Sequence, residues 1–204
     1  MIKAAGLGLR TRRGWVFRDV DLSVPAGSTV AIAGPAGSGR SMLLLALSGR
    51  ARPTAGTLTV EDTERRAAIR RAVAVARITG AIEPDPDLLV ADCRREAALL
   101  SPGADLAWAE QLVDLSADGT TPVGDLGADD AALLALALAA ASRPAALVLD
   151  DVDRHTTHAQ QARVWAALAA VAAEGITTLA ATVDPAHAGD AVVHHLGEES
   201  RATD

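Results

Sequence analysis

The fold is decided by residues 28–41, which read STVAIAGPAGSGRS. The pattern predicts a buried strand over residues 28–33, a glycine-rich loop over 34–39 and a short helix over 41–48. In such a strand–loop–helix unit the backbone N–H groups of the loop form a concave nest, and the positive end of the helix dipole faces it. The stretch therefore predicts a site for the phosphates of a nucleotide.

The loop matches the pattern G-x-x-x-x-G-K-[ST] except that Arg40 replaces the lysine. Glycines let the backbone approach the phosphates, the cation reaches the outer phosphates, and the hydroxyl of Ser41 is a ligand for Mg²⁺. The predicted nucleotide-binding residues are Gly34, Pro35, Ala36, Gly37, Ser38, Gly39, Arg40 and Ser41.

A carboxylate at the end of a second apolar run supports the prediction of a phosphate site. Residues 146–150 read ALVLD, an apolar run that ends in the carboxylate of Asp150. An acid at the carboxyl end of a parallel strand beside a phosphate loop is where such folds hold Mg²⁺. Ser41 and Asp150 are therefore the predicted metal ligands. A chance glycine turn is the alternative for the loop alone, and the two features together make it the weaker one.

Composition and charge disfavour a nucleic-acid-binding, a secreted or a membrane-spanning protein. The 204 residues are 50% apolar and 22% charged, which is typical of one globular domain. The net charge of −7 provides no bulk field for nucleic acid, so we expect no nucleic-acid partner. A single cysteine, Cys93, indicates a reducing compartment, and no signal pattern follows Met1. The apolar run 131–141 is far shorter than the ~20 residues of a membrane helix, so a cytoplasmic location is expected.

Strands that alternate with helices along the chain predict a mostly parallel sheet. Over nearly its whole length the sequence resembles the ATP-binding cassette (ABC) ATPase domain. Residues 16–60 resemble the N-terminal lobe of that family, residues 126–151 its signature helix followed by the acidic strand, and residues 175–182 the strand before its switch loop. No N-K-x-D base-reading motif is present, which disfavours a GTPase.

The resemblance implies an α/β fold of the P-loop NTPase, ABC type. Its parts are a mostly parallel core sheet, an N-terminal antiparallel β subdomain and a short helical subdomain. Residues 1–204 would then be one ABC ATPase-like domain. Residues 1–80 and 127–204 would be the nucleotide-binding core, and residues 81–126 the helical subdomain.

The resemblance also implies function. Family members bind two ATP molecules where two domains meet head to tail, so ATP and Mg²⁺ are the expected cofactors. The expected partners are a membrane permease subunit and a second cassette, in a homodimer or a heterodimer. The chain would then lie in the cytoplasm, peripheral at the inner face of the cell membrane. The alternative is a non-hydrolytic regulatory or structural module that pairs with another cassette or a membrane protein.

Several departures from the family pattern predict weak or lost hydrolysis. Asp151, the candidate catalytic residue, stands where the family has a glutamate and is one methylene shorter. Val183 aligns with the switch histidine, and Thr79 lies near the place of a missing glutamine. Arg40 keeps the charge of the usual lysine but not its compact geometry. The competing explanation for Arg40 is genomic, because Lys3 is the only lysine, a bias typical of actinobacteria.

The family signature aligns with residues 126–130, where Asp129 and Asp130 introduce two carboxylates. Negative charge suits a helix N-terminus, so the simpler interpretation is that the two residues cap the helix. The alternative is that they face a partner's γ-phosphate and repel it, which would weaken an ATP-dependent homodimer.

Overall fold

The computed structural model describes residues 1–197, and its strands form two sheets. The strands are β1 Ile2–Thr11, β2 Gly14–Val24, β3 Thr29–Ala33, β4 Ala55–Val60, β5 Val73–Arg77, β6 Ala146–Leu149, β7 Thr177–Thr182 and β8 Val192–His195. The helices are α1 Arg40–Leu47, α2 Arg66–Ala72, α3 Val90–Leu100, α4 Leu106–Leu112, α5 Ala128–Ala140 and α6 His158–Ala173, with short 3₁₀ turns at Val123–Asp125 and Pro185–His187.

The central sheet has five strands in the order β5-β6-β7-β3-β8, and every pair of neighbours is parallel. This confirms the predicted parallel sheet. Strands β6 and β7 are buried along their whole length, and β3 is buried beyond its first residue, because helices and the second sheet cover both faces. Apolar residues without alternation are what such a strand requires.

The N-terminal sheet has three antiparallel strands in the order β2-β1-β4, which confirms the predicted antiparallel part. Its inner residues, such as Leu7 and Phe17, share a core with helix α1 and the face of β3 that carries Ile32. Helices α5 and α6 pack in the core on the other side of the central sheet. The loop between β3 and α1 thus begins at a strand that is packed on both of its faces.

Helices α3 and α4 join this second core through Val90, Cys93 and Ala109. The sequence predicts helices over residues 90–100 and 125–142; α3 coincides with the first, whereas α5 begins three residues later, at Ala128. Leu126 and Gly127 adopt extended backbone angles that separate a 3₁₀ turn from the helix. Within residues 1–197, none of the helices combines the length and apolar character that crossing a bilayer requires.

Candidate nucleotide-binding site

The loop after β3 depends on glycine at both ends. A Cβ added at Gly34 would overlap the carbonyl oxygen of Leu196, and one at Gly39 would overlap that of Val16. Gly39 also has a φ of 96°, in the left-handed region that favours glycine. Close packing against β2 and the end of β8 therefore fixes where the loop begins and where helix α1 starts.

Between these ends the loop lies open. Pro35, Ala36 and Gly37 are exposed, and the backbone N–H of Ser38 donates to the carbonyl of Pro35 at 3.1 Å. The hydroxyl of Ser38 is buried and has no hydrogen-bond partner among the residues that the structure describes. An exposed backbone turn at a helix N-terminus, with an unsatisfied hydroxyl beside it, is chemically suited to an anion.

Asp150 lies at the carboxyl end of β6 and is fully buried. Its Oδ1 accepts a hydrogen bond from the backbone N–H of Asp151 at 3.1 Å, and its Oδ2 has no hydrogen-bond partner in the described part of the chain. Burial raises the pKa of Asp150 above its usual range, and the charge of Asp151 adds to this rise, whereas hydrogen bonding by the Ser41 side chain lowers it. A buried carboxylate with one free oxygen beside a serine hydroxyl is the kind of donor set that a hard cation prefers.

Arg40 turns its guanidinium toward its own chain. Its Nη1 donates to the carbonyl oxygens of Gly34 and, at 3.1 Å, of Thr182, and its Nη2 donates to Oδ1 of Asp151 at 3.1 Å. The residue is only 8% exposed. The structure therefore brings Arg40 and Asp151 into contact. Arg40 stands where the family pattern has a lysine, and Asp151 stands where it has a glutamate.

Two further side chains organise this region, and the sequence analysis missed both. Arg77, at the end of β5, donates from Nη2 to the carbonyl oxygens of Asp150 and Asp151, each at 3.0 Å. Asp153 accepts a hydrogen bond from the backbone N–H of Val183 at 2.6 Å. The place of Arg77 at the end of a core strand could have indicated its role. The order of residues along the chain does not show, however, which strand lies beside that one.

The interpretation of Asp129 and Asp130 as caps is wrong. The N-cap of α5 is Gly127, and within residues 1–197 no side chain makes a cap hydrogen bond to this helix. Instead Nη1 of Arg163 on α6 donates to Asp129 at 2.8 Å and to Asp130 at 2.7 Å, and the Gln160 amide donates to Asp129 at 2.8 Å. Both carboxylates are thus compensated within the chain, which reduces the repulsion that two free charges would exert on a phosphate.

This cluster yields a stability prediction. Burial by itself raises the pKa of Asp129, but the hydrogen bonds from Arg163 and Gln160 outweigh it, so the net pKa is lowered. A lowered carboxylate pKa stabilises the fold above the unfolded-state pKa, and this stabilisation is lost as the pH falls through the folded-state value. We expect Arg163→Gln to lower the free energy of unfolding at pH 7 by about 1–2 kcal/mol, a figure discounted because Arg163 is 35% exposed.

Urea denaturation at pH 7 and at pH 3 measures this effect, and the difference between wild type and variant should shrink at the lower pH. The matched control is Arg95→Gln, because Arg95 pairs with Asp92 and its side chain is 72% exposed. That variant should lose no more than about 0.5 kcal/mol. Equal losses in the two variants would contradict a stabilising role for the Arg163 cluster.

The five-stranded parallel sheet, the phosphate-type loop at a helix N-terminus and the acid at the end of β6 together define a phosphate-loop α/β protein. The ABC transporter family model matches residues 17–154, and the chain belongs to this family. Its fold is that of the ATP-binding cassettes, as expected from the resemblance.

Similar proteins carry the same family name, and solved structures share the fold. A candidate ABC transporter ATP-binding protein of Streptomyces coelicolor is 35% identical over 87% of this chain and 32% of its own length. A similar protein of Streptomyces avermitilis is 35% identical over 89% of this chain and 34% of its own. The chain thus spans about a third of the length of these relatives. A dimeric ATP-binding cassette in a post-hydrolysis state with ADP and Pi superposes with a TM-score of 0.79 at 19% identity, covering 96% of this chain and 94% of that one.

Proposed function

We propose that this chain is an ATP-binding subunit of an ABC transport system that binds Mg-ATP at the loop Gly34–Ser41. The observation that carries the proposal is that buried oxygens just beyond the carboxyl ends of the core strands, among them Ser38 Oγ and Asp150 Oδ2, have no hydrogen-bond partner within residues 1–197. Unsatisfied buried polar atoms are rare in folded proteins, and they cost free energy unless a ligand or water engages them. The loop N–H groups, the N-terminus of α1 and the charge of Arg40 would bind the phosphates.

The donor set fits Mg²⁺, for which Ser41 and Asp150 would be the protein ligands. When bound, the ion would neutralise charge on the phosphate oxygens. A cation would also favour the ionised form of Asp150, whose pKa burial raises.

In the proposed reaction Asp151 would orient the attacking water. Its carboxylate is one methylene shorter than that of glutamate, and Val183 carries no hydrogen-bond donor in its side chain. We therefore propose that hydrolysis is weak. Residues 1–80 and 127–204 would form the nucleotide-binding core and residues 81–126 the helical subdomain of one domain spanning 1–204.

A separate permease subunit and a second cassette, identical or different, would complete the system. The chain would then work in the cytoplasm, peripheral at the inner face of the membrane. The alternative is a non-hydrolytic regulatory or structural module, and the Arg40–Asp151 ion pair is the observation that favours it. The two candidates share nucleotide binding and differ in turnover.

Titration calorimetry of the purified chain with ATP, with and without Mg²⁺, tests the proposal. We expect saturable binding at submillimolar ATP with Mg²⁺, and weaker binding after EDTA. Asp150→Asn should remove most of the Mg²⁺ dependence because it exchanges a charged oxygen ligand for a neutral amide. Asp62→Asn, a change at an exposed surface acid, is the matched control and should leave the dependence intact. A folded wild type that binds neither ATP nor ADP at millimolar concentration would refute the proposal.

A further inference from the structure

The guanidinium of Arg40 connects three chain segments around the candidate phosphate site. Its hydrogen bonds reach the first residue of the loop, the last residue of β7 and the acid one residue after Asp150. Three of its five N–H donors are thus used by protein acceptors. Of these acceptors only Asp151 carries a charge, so it is the partner that neutralises this nearly buried cation.

Asp151 is held firmly in this position. Its backbone has a φ of 46°, in the left-handed region that is uncommon for a residue other than glycine. Its N–H donates to Asp150 and its carbonyl accepts from Arg77. Because these backbone contacts fix the residue, its carboxylate stays within reach of Arg40 and is tied up in an ion pair rather than free to bind water.

A polyphosphate in the loop would compete for the same donors. It carries more negative charge than one carboxylate, and it presents several oxygens in the geometry that guanidinium binds bidentately. The loop nest and the helix N-terminus also add to its affinity, whereas they do not contribute to the pair with Asp151. Exchange of partners is therefore the expected outcome when phosphates enter.

We propose that Arg40 is a positioning residue and acts as a phosphate-operated switch for Asp151. In the free protein its guanidinium holds the Asp151 carboxylate, and when terminal phosphates occupy the loop it moves to them and releases that carboxylate. This inference rests on the proposed nucleotide binding. It requires no covalent step, only the exchange of one set of hydrogen bonds for another.

The consequence is that Asp151 competes with the nucleotide. Asp151→Asn should lower the Kd for ADP at constant Mg²⁺ by about fivefold or more, the size of a lost charge-assisted hydrogen bond. Asp153→Asn is the matched control, because it removes the same charge from the same loop but from a residue that bonds to Val183 rather than to Arg40. Its Kd should stay within twofold of wild type.

Titration calorimetry with ADP on the three purified chains distinguishes the outcomes. If wild type binds ADP and Asp151→Asn binds it equally well or more weakly, the switch is overturned and the proposed function stands. If Asp151→Asn and Asp153→Asn lower the Kd for ADP equally, the switch is also overturned, because the loss of general charge repulsion would then explain the higher affinity. If neither wild type nor Asp151→Asn binds, both proposals fail. If Asp151→Asn alone binds, phosphates do not displace Asp151 from Arg40 in the wild type, and both proposals fail.

The nucleotide-free protein offers a second readout that does not depend on binding. Arg40→Met and Asp151→Asn should each lower the thermal midpoint by about 3 °C or more, and the double variant should lose much less than the sum. Such coupling is expected only if the two side chains interact in the free protein. Additive losses would overturn the proposal.

Discussion

Gly37→Asp is expected to raise the Kd for Mg-ATP at least 100-fold while the chain stays folded. Gly37 lies in the exposed turn of the loop, and a Cβ built there meets no atom within 4 Å. The new carboxylate would place a negative charge beside the phosphates. Two like charges about 4 Å apart repel by about 4 kcal/mol at an effective dielectric of 20, which exceeds a hundredfold change in Kd.

The matched control is Gly37→Asn, which has the same shape without the charge. Gly37 has a φ of 80°, and asparagine tolerates the left-handed region better than most residues, so both variants bear similar backbone strain. We expect the Kd of Gly37→Asn to stay within about fivefold of wild type. Titration calorimetry gives both constants and circular dichroism checks the fold. Equal losses in the two variants would mean that strain, not charge, removes binding.

Gly39 is a poorer position for this test than the loop pattern by itself indicates. A side chain there would overlap the carbonyl of Val16 as well as occupy a φ of 96°. Gly39→Asp would therefore disturb the packing of the loop against β2, and a loss of binding in that variant could not be assigned to charge.

Hydrolysis by the purified chain is expected to fall well below the usual enzyme range of ~1–10³ s⁻¹. Asp151 is one methylene shorter than the glutamate of the family pattern, and the side chain of Val183 offers no hydrogen bond to a phosphate. Single transition-state contacts of this kind contribute roughly 3 kcal/mol, although such losses do not add. Phosphate release at saturating Mg-ATP measures the rate, and several turnovers per second would contradict the prediction.

Restoring the family residues should recover part of this rate. The combined change Arg40→Lys and Asp151→Glu is expected to raise turnover at least tenfold, since misplacement of a reacting group by about 1 Å costs as much as ~10²-fold. Asp92→Glu, which also lengthens an acid but on the surface of α3, should leave the rate unchanged. If the combined variant turns over ATP no faster than wild type, Val183 and the missing glutamine would explain the slow turnover.

Much of the fold could be predicted because its information is local. Apolar runs without alternation indicate strands buried on both faces, and β6 and β7 are such strands. Glycines mark the loop because only they fit its close approaches at Gly34 and Gly39. The sequence predicts a helix over residues 158–173, and α6 covers them because Thr157 and Gln160 form a capping box at its start.

The sequence by itself determined the α/β class, the phosphate-type loop and the family, since these depend on short-range patterns and their order. Only the tertiary structure decided which charges meet. Arg40 and Asp151 are separated by 111 residues, and Arg163 and Asp129 by 34, so no local pattern records either ion pair. Parallel strands bring Arg40 and Asp151 to the same end of the central sheet, and the packing of α5 against α6 brings Asp129 to Arg163, so distance in space rather than along the chain decides which charges compensate each other.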